Sequence, residues 1–178
     1  FRSPAYPEGK LFRCVDNVYR IWKTSDLQHS TQIIFSDSGT PKPNQFNVYD
    51  EVKQLLIIKG IPEKEIAFIH SAKNDRQREE LFEKVRQGEI RILLGSTEKL
   101  GTGTNIQDKL LAVHHVDVPW RPSDLTQRDG RIVRQGNENK EVQIYRYVAK
   151  NSFDSFLWQT QENKLKFINQ IMTNKSIA

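Results

Sequence analysis

The apolar positions of the chain switch between two spacings. From Lys10 to Leu27, the residues Leu11, Val15, Val18, Ile21 and Trp22 recur every three or four positions and form one face of a helix. Thr31 to Ser36 (TQIIFS) is instead a short run rich in strand formers. After a loop with Gly39, Pro41 and Pro43, the pattern predicts a helix from about Val48 to Lys59 and a strand from Ile66 to His70. Asn74 or Asp75 can cap the next helix, which buries Leu81, Phe82 and Val85 and stops at Gly88. Arg91 to Leu94, Leu111 to Val118 and Val142 to Val148 read as three further strands, the last two separated by a helix opened by Pro122 or Ser123. From Ser152 onward, Phe153, Phe156, Leu157, Leu165, Ile168 and Ile171 keep helical spacing to the end.

Five short strands separated by helices predict an α/β fold whose central, mostly parallel sheet is flanked by helices. Ligands of such sheets sit at the carboxyl ends of the strands. The loops after Phe35, His70, Leu94 and Val118 are therefore the ones expected to carry chemistry.

A length of 178 residues is enough for one domain with a full core. With 37% hydrophobic and 28% charged residues, a disordered tail, a collagen-like repeat and a membrane protein are excluded. The longest aliphatic run, Leu55 to Ile58, is far too short to span a bilayer. The single cysteine, Cys14, excludes an intramolecular disulfide and suits a reducing, cytoplasmic setting. A start at Phe-Arg-Ser-Pro, with neither an initiator methionine nor a signal-peptide pattern, leads us to expect a piece of something longer. The formal charge of +5 permits contact with nucleic acid or another polyanion, and equally describes a solvated basic face.

Two segments stand out. The loop Gly95 to Gln107 (GSTEKLGTGTNIQ) carries three glycines after a strand, which can bring backbone N–H groups close to a phosphate or simply make a tight connection. It is not a G-x-G-x-x-G turn, because Ile106 stands at the third glycine's place. In QRDGRIVRQGN, Gln127 to Asn137, helical geometry puts Gln127, Arg131 and Arg134 on one face and Leu125 and Ile132 nearly opposite. Gly130 in the middle of that helix costs about 1 kcal/mol relative to alanine, as expected where something approaches closely. Two arginines beside a glutamine form a receptor for an anion. The competing reading pairs Arg131 and Arg134 with Asp124 or Asp129 on a solvated helix.

Four ordered segments resemble the second RecA-like lobe of a superfamily 2 helicase, specifically of the Swi/Snf type of DNA translocase. Thr31 to Asp37 (TQIIFSD) is similar to motif IV, and His70 to Gln77 (HSAKNDRQ) to the segment after the next strand. Ser96 to Ile106 (STEKLGTGTNI) is similar to motif V, and Pro119 to Gly136 (PWRPSDLTQRDGRIVRQG) to the W-x-P segment running into motif VI. The stretch from Gly101 to Val148 also resembles the helicase part of large phage and mobile-element proteins, which often join it to an adenine-specific DNA methylase. Asp117-Val118-Pro119-Trp120 falls one residue short of the methylase loop [DNS]-P-P-[YFW], so no methylase chemistry is expected in this chain.

The resemblance implies a three-layer RecA-like fold, with residues 1–29 as a linker and N-terminal helix, 30–150 as the helicase domain and 151–178 as a brace helix packed on it. It implies that Arg131 and Arg134 are arginine fingers toward ATP and that Gln127 orients nucleotide or water. Gly103, Asn105 and Arg128 would stand on the cofactor side. Ser36, Ser71, Thr97, Lys73 and Lys99 would meet the DNA backbone, the last two equally readable as solvated surface. Lys99 and Leu100 depart from the small-residue and glycine pair usual in Swi/Snf motif V. The sequence contains neither G-K-[ST] nor D-E-x-[HD]. ATP with Mg²⁺ would thus be bound mainly by an N-terminal RecA-like lobe of the same polypeptide, and the isolated chain is expected to be inactive. The rival reading is a noncatalytic DNA-binding or protein-docking module of RecA-like shape. His114 and His115, adjacent on a strand, face opposite ways and cannot chelate one metal together, so no metal site is expected. Trp22, Trp120 and Trp158 are expected in packing rather than base stacking.

Overall fold

The computed structural model describes residues 8–100, 104–119, 121–130, 135–149 and 153–177. Five parallel strands, β1 (Thr31–Phe35), β2 (Ile66–Phe68), β3 (Ile92–Gly95), β4 (Leu110–His115) and β5 (Gln143–Arg146), form one sheet in the order β2-β3-β1-β4-β5. The helices are α1 (Glu8–Thr24), α2 (Val48–Lys59), α3 (Asp75–Arg86), the single turn α4 (Thr97–Leu100), α5 (Pro122–Asp129) and α6 (Asp154–Ile177).

Side-chain alternation on the strands builds two cores. Ile34, Ile92 and Leu94 face α1 and α2, where Leu11, Val15, Val18, Val52 and Leu56 are buried. Ile33, Phe35, Leu93 and Val113 face the other way, against Phe82 and Val85 of α3 and Leu100 of α4. Burial on both faces explains why β1 and β3 are buried throughout, with consecutive apolar residues (Ile33 to Phe35 and Ile92 to Leu94) rather than alternating ones. The α1 helix thus contributes a layer of the core. Its predicted apolar face is the buried one, with Trp22 half-buried and donating Nε1–H to Glu65 at 2.9 Å.

Local signals set the ends of the elements. The Asn74 side chain accepts from the Gln77 N–H at 2.9 Å, capping α3 as predicted, and Asn47 caps α2 in the same way through the Asp50 N–H at 2.8 Å. At the end of α2, Gly60 adopts φ 123°, where an L side chain is strained, and returns its N–H to Ile57 and Leu56. The second strand is shorter than expected: a 3₁₀ turn at Ile69–Ser71 replaces its last residues. Gly130 is not in the middle of a helix. It follows the last residue of α5, in right-handed backbone conformation, and its N–H reaches the Thr126 carbonyl at 2.9 Å.

Among its described side chains, the last helix is docked near its start. Trp158 and Gln161 are buried, Gln161 donating to the Pro119 carbonyl at 2.8 Å, and Asp154 pairs with Lys10 of α1 at 2.8 Å. Phe153, Phe156, Phe167, Ile168 and Ile171 are exposed, so most of the predicted apolar pattern of this helix has no core behind it. Among the described residues no helix is long and apolar enough to cross a membrane.

Candidate nucleotide and nucleic-acid site

The chain leaves β1 toward β2 on one side and leaves β4 toward β5 on the other. The carboxyl ends of the adjacent strands β1 and β4 therefore form a switch point, where loops part and a crevice opens. Asp37 follows β1 and Asp117 follows β4 at that point. Beside them lies a cleft of about 890 Å³ lined by Asp37, His70, Ser96, Lys99, Arg121 and Gln127, among others.

Arg128, on α5, reaches into the floor of this region and is fully buried. Its guanidinium makes four hydrogen bonds and adds an ion pair to the Asp37 carboxylate. Nε donates to the Thr97 hydroxyl at 2.8 Å, and Nη1 to the Asp117 carbonyl at 3.0 Å and to His115 Nδ1 at 3.2 Å. Nη2 meets Asp117 Oδ1 at 3.0 Å and Asp37 Oδ2 at 2.7 Å. The plane lies over the Phe35 ring at 5.2 Å. Arg128, which the resemblance sets beside the cofactor, is an internal tie between α5 and the ends of β1 and β4 that supports the motif locally.

The two carboxylates complete the tie. Asp117 Oδ2 accepts from the N–H groups of Asp37 and Ser38 at 2.8 and 2.9 Å, which fixes the loop after β1. Asp37 Oδ1 accepts the Thr97 N–H at 2.7 Å. That backbone donor, at the start of the loop read as a phosphate cradle, already holds an anion from its own chain. Gly95 brings this loop close to the sheet: a Cβ there would lie 2.7 Å from Leu100 Cδ1.

The other candidates separate into two sets. Ser36 and Thr97 are buried, their hydroxyls engaged with the Ser38 carbonyl and with Asp37. Ser71, Lys73 and Lys99 are exposed, and Lys99 lines the cleft together with Gln127. Asn105 is exposed, and its carbonyl accepts from Arg86 at 2.8 Å. Burial pushes the His70 pKa below its ordinary value, and the charges of Lys99 and then Lys73 push it the same way. His70 and Lys99 thus share one end of the cleft, with the charge of Lys73 near enough to act on the imidazole. Gly103, Arg131, Arg134 and Trp120 lie outside the described residues.

The two adjacent histidines do face opposite ways. His114 sits 2.7 Å from both Gln32 Oε1 and the Tyr147 hydroxyl, on the α1 side. His115 sits on the α5 side, 2.7 Å from Asp129. Among the described residues no three His, Cys, Asp or Glu converge to hold a metal ion. Sequence reasoning gave Asp37, Asp117 and Asp129 no part in a tie to Arg128 and His115, and missed the role of His115. The available signal was an acid placed directly after each of the two strands that flank the switch point.

Fold and crevice define a RecA-like α/β lobe of the helicase type. Residues 15–136 match the helicase conserved C-terminal domain family, and the chain belongs to that family. It is 32% identical over 75 residues to the defense against restriction protein B of Escherichia phage P1, covering 42% of this chain and 3% of that protein. It is 29% identical over 97 residues to an uncharacterized ATP-dependent helicase, YqhH, of Bacillus subtilis, covering 54% of this chain and 17% of that protein. The chain therefore spans only a small part of these relatives. Among solved structures, the C-terminal part of the Fun30 ATPase domain superposes with a TM-score of 0.63 at 23% identity, covering 81% of this chain and 43% of that one. The DUF1998 helicase MrfA bound to DNA gives 0.59 at 18% identity, covering 87% of this chain and 20% of that one.

Proposed function

We propose that this chain is the second motor lobe of an ATP-dependent DNA translocase or helicase, of the Swi/Snf type. The observation that carries the reading is the buried tie at Arg128, which holds α5 against the switch-point loops and leaves Gln127 at the cleft. The sequence that immediately follows α5 contains Arg131 and Arg134. In this role those two arginines, with Gln127, face a nucleotide held by an N-terminal lobe, and their positive charge stabilises the charge that develops as the terminal phosphoryl group leaves. ATP, when bound, supplies the phosphoanhydride; ATP and Mg²⁺ would be held mainly by the N-terminal lobe, since the sequence contains neither G-K-[ST] nor D-E-x-[HD].

Ser71, Lys73 and Lys99, exposed at the ends of β2 and β3, supply backbone-tracking contacts that follow a DNA strand without reading its bases. Asn105 stands on the surface, its carbonyl held by Arg86 of α3, and is assigned together with Gly103 to the nucleotide side of motif V. MrfA, of the same fold, is seen bound to DNA. The likeness to the phage P1 protein supports a phage or mobile-element parent, in which an adenine methylase is the expected fused partner.

The test is DNA-stimulated ATP hydrolysis by the polypeptide that carries both lobes. Arg131→Ala and Arg134→Ala should each lower turnover by about 10³-fold with DNA binding retained. The isolated chain should show none. Turnover equal to wild type in both variants would replace the motor by a docking module.

A further inference from the structure

His115 is enclosed, yet both of its ring nitrogens are used. The ring stacks on Phe35 at 6.0 Å and meets Trp158 of α6 edge-on at 5.4 Å. Nδ1 faces Arg128 Nη1 at 3.2 Å and Nε2 faces Asp129 Oδ1 at 2.7 Å. A guanidinium can only donate, so Nδ1 must be the acceptor and Nε2 must carry the proton. The ring is thus a neutral link with a defined direction, from Arg128 through the imidazole to the Asp129 carboxylate. Burial, the largest influence on its pKa, keeps it below its ordinary value and so keeps Nδ1 free of a proton.

Arg128 and Asp129 are the last two residues of α5, and Arg131 comes two positions later in the sequence. A carboxylate at a helix's final residue meets the negative end of the helix dipole, an unfavourable place that needs a partner. His115 supplies one from the rigid β4 strand.

We infer that His115 is a positioning residue of the motor, fixing the end of α5, and with it the start of the arginine-bearing segment, by accepting from Arg128 and donating to Asp129. The inference rests on the motor reading above. Small misplacements of a charge-stabilising group lower turnover without weakening ground-state binding.

The experiment uses the polypeptide with both lobes and reads kcat and KM for ATP in the presence of DNA, together with DNA affinity. His115→Phe keeps an aromatic ring between Phe35 and Trp158 and removes both nitrogens. Its kcat should fall by about tenfold or more, with KM and DNA affinity within about twofold of wild type. His115→Gln, which can still donate toward Asp129, should recover part of kcat. Should His115→Phe fail to fold, Asp129→Ala carries the same test from the half-buried partner. The double variant should be no worse than either single one, as expected for two residues acting through one bond. Unchanged kcat in both single variants, additive losses, or a parallel loss of DNA affinity would overturn the inference. If Arg131→Ala turns over as fast as wild type, the motor reading fails and the inference falls with it. If Arg131→Ala is defective while His115→Phe is normal, only the inference falls.

Discussion

The Arg128 guanidinium donates to the Thr97 hydroxyl at 2.8 Å, joining α5 to the α4 turn beneath the cleft. Thr97 passes the connection on, since its own hydroxyl proton goes to Asp37 at 3.0 Å. Three loops from three strands therefore share one buried cation. Arg128→Ala would strand the carboxylates of Asp37 and Asp117, and should cost about 3 kcal/mol or more, read as a lower urea midpoint. Arg128→Lys should recover little, because a compact ammonium cannot serve partners arranged around a planar fork. A midpoint unchanged by Arg128→Ala would show that the tie does not hold the fold.

Acid should weaken the protein through His114. Gln32 Oε1 only accepts, so Nε2 carries the proton and Nδ1 accepts from the Tyr147 hydroxyl. Burial first, then the neighbouring His115 and Arg20, hold its pKa down to about 3, against an ordinary value of 6.5. The unfolded chain gains a proton below pH 6.5 that the native ring refuses. The contribution is complete above that pH and is lost as the pH falls toward 3, by about 1.4 kcal/mol per pH unit. His115, also held low by burial, acts with the same sign. Unfolding free energies at pH 7 and pH 5 should therefore converge more for His114→Gln than for wild type. Parallel pH dependence in the two proteins would refute this.

Cys14 is fully buried in α1, and burial pushes its thiol up to about 12. A neutral, enclosed thiol is a poor nucleophile. A thiol-reactive dye should label it only at the rate of unfolding, so labelling and loss of helical circular dichroism should share one denaturant midpoint. Fast labelling of the native protein would mean that α1 opens locally.

The last helix should depend on one anchor. Trp158 is 5% exposed and carries the Arg146 guanidinium over its ring at 4.8 Å, whereas Phe156 is 64% exposed. Trp158→Ala should cost about 3 kcal/mol and Phe156→Ser no more than about 0.5 kcal/mol. The comparison needs only two melting curves, and equal losses would place the anchor elsewhere.

Much of this protein was legible one residue at a time. Period-two and period-3.6 patterns, the Asn74 cap and buried strands such as Thr31–Phe35 follow from local chemistry, and that chemistry is carried by the sequence itself. The Gln127 to Asn137 pattern was equally visible. The sequence did not reveal that Arg128 turns inward. Arg128 and Arg131 are close neighbours in one charged run, and only the meeting of β1 and β4 supplies the two carboxylates and the imidazole that bury Arg128. The same holds for α6, whose apolar spacing promised a packed face of which, among the described side chains, the domain buries Trp158 and Gln161. Composition and periodicity determined the α/β lobe and the segments that bear its chemistry. Tertiary structure decided the partners, because a buried charge is tolerated only where residues distant in sequence, here Asp117 and Asp37, 11 and 91 positions away, bring the opposite charge to it.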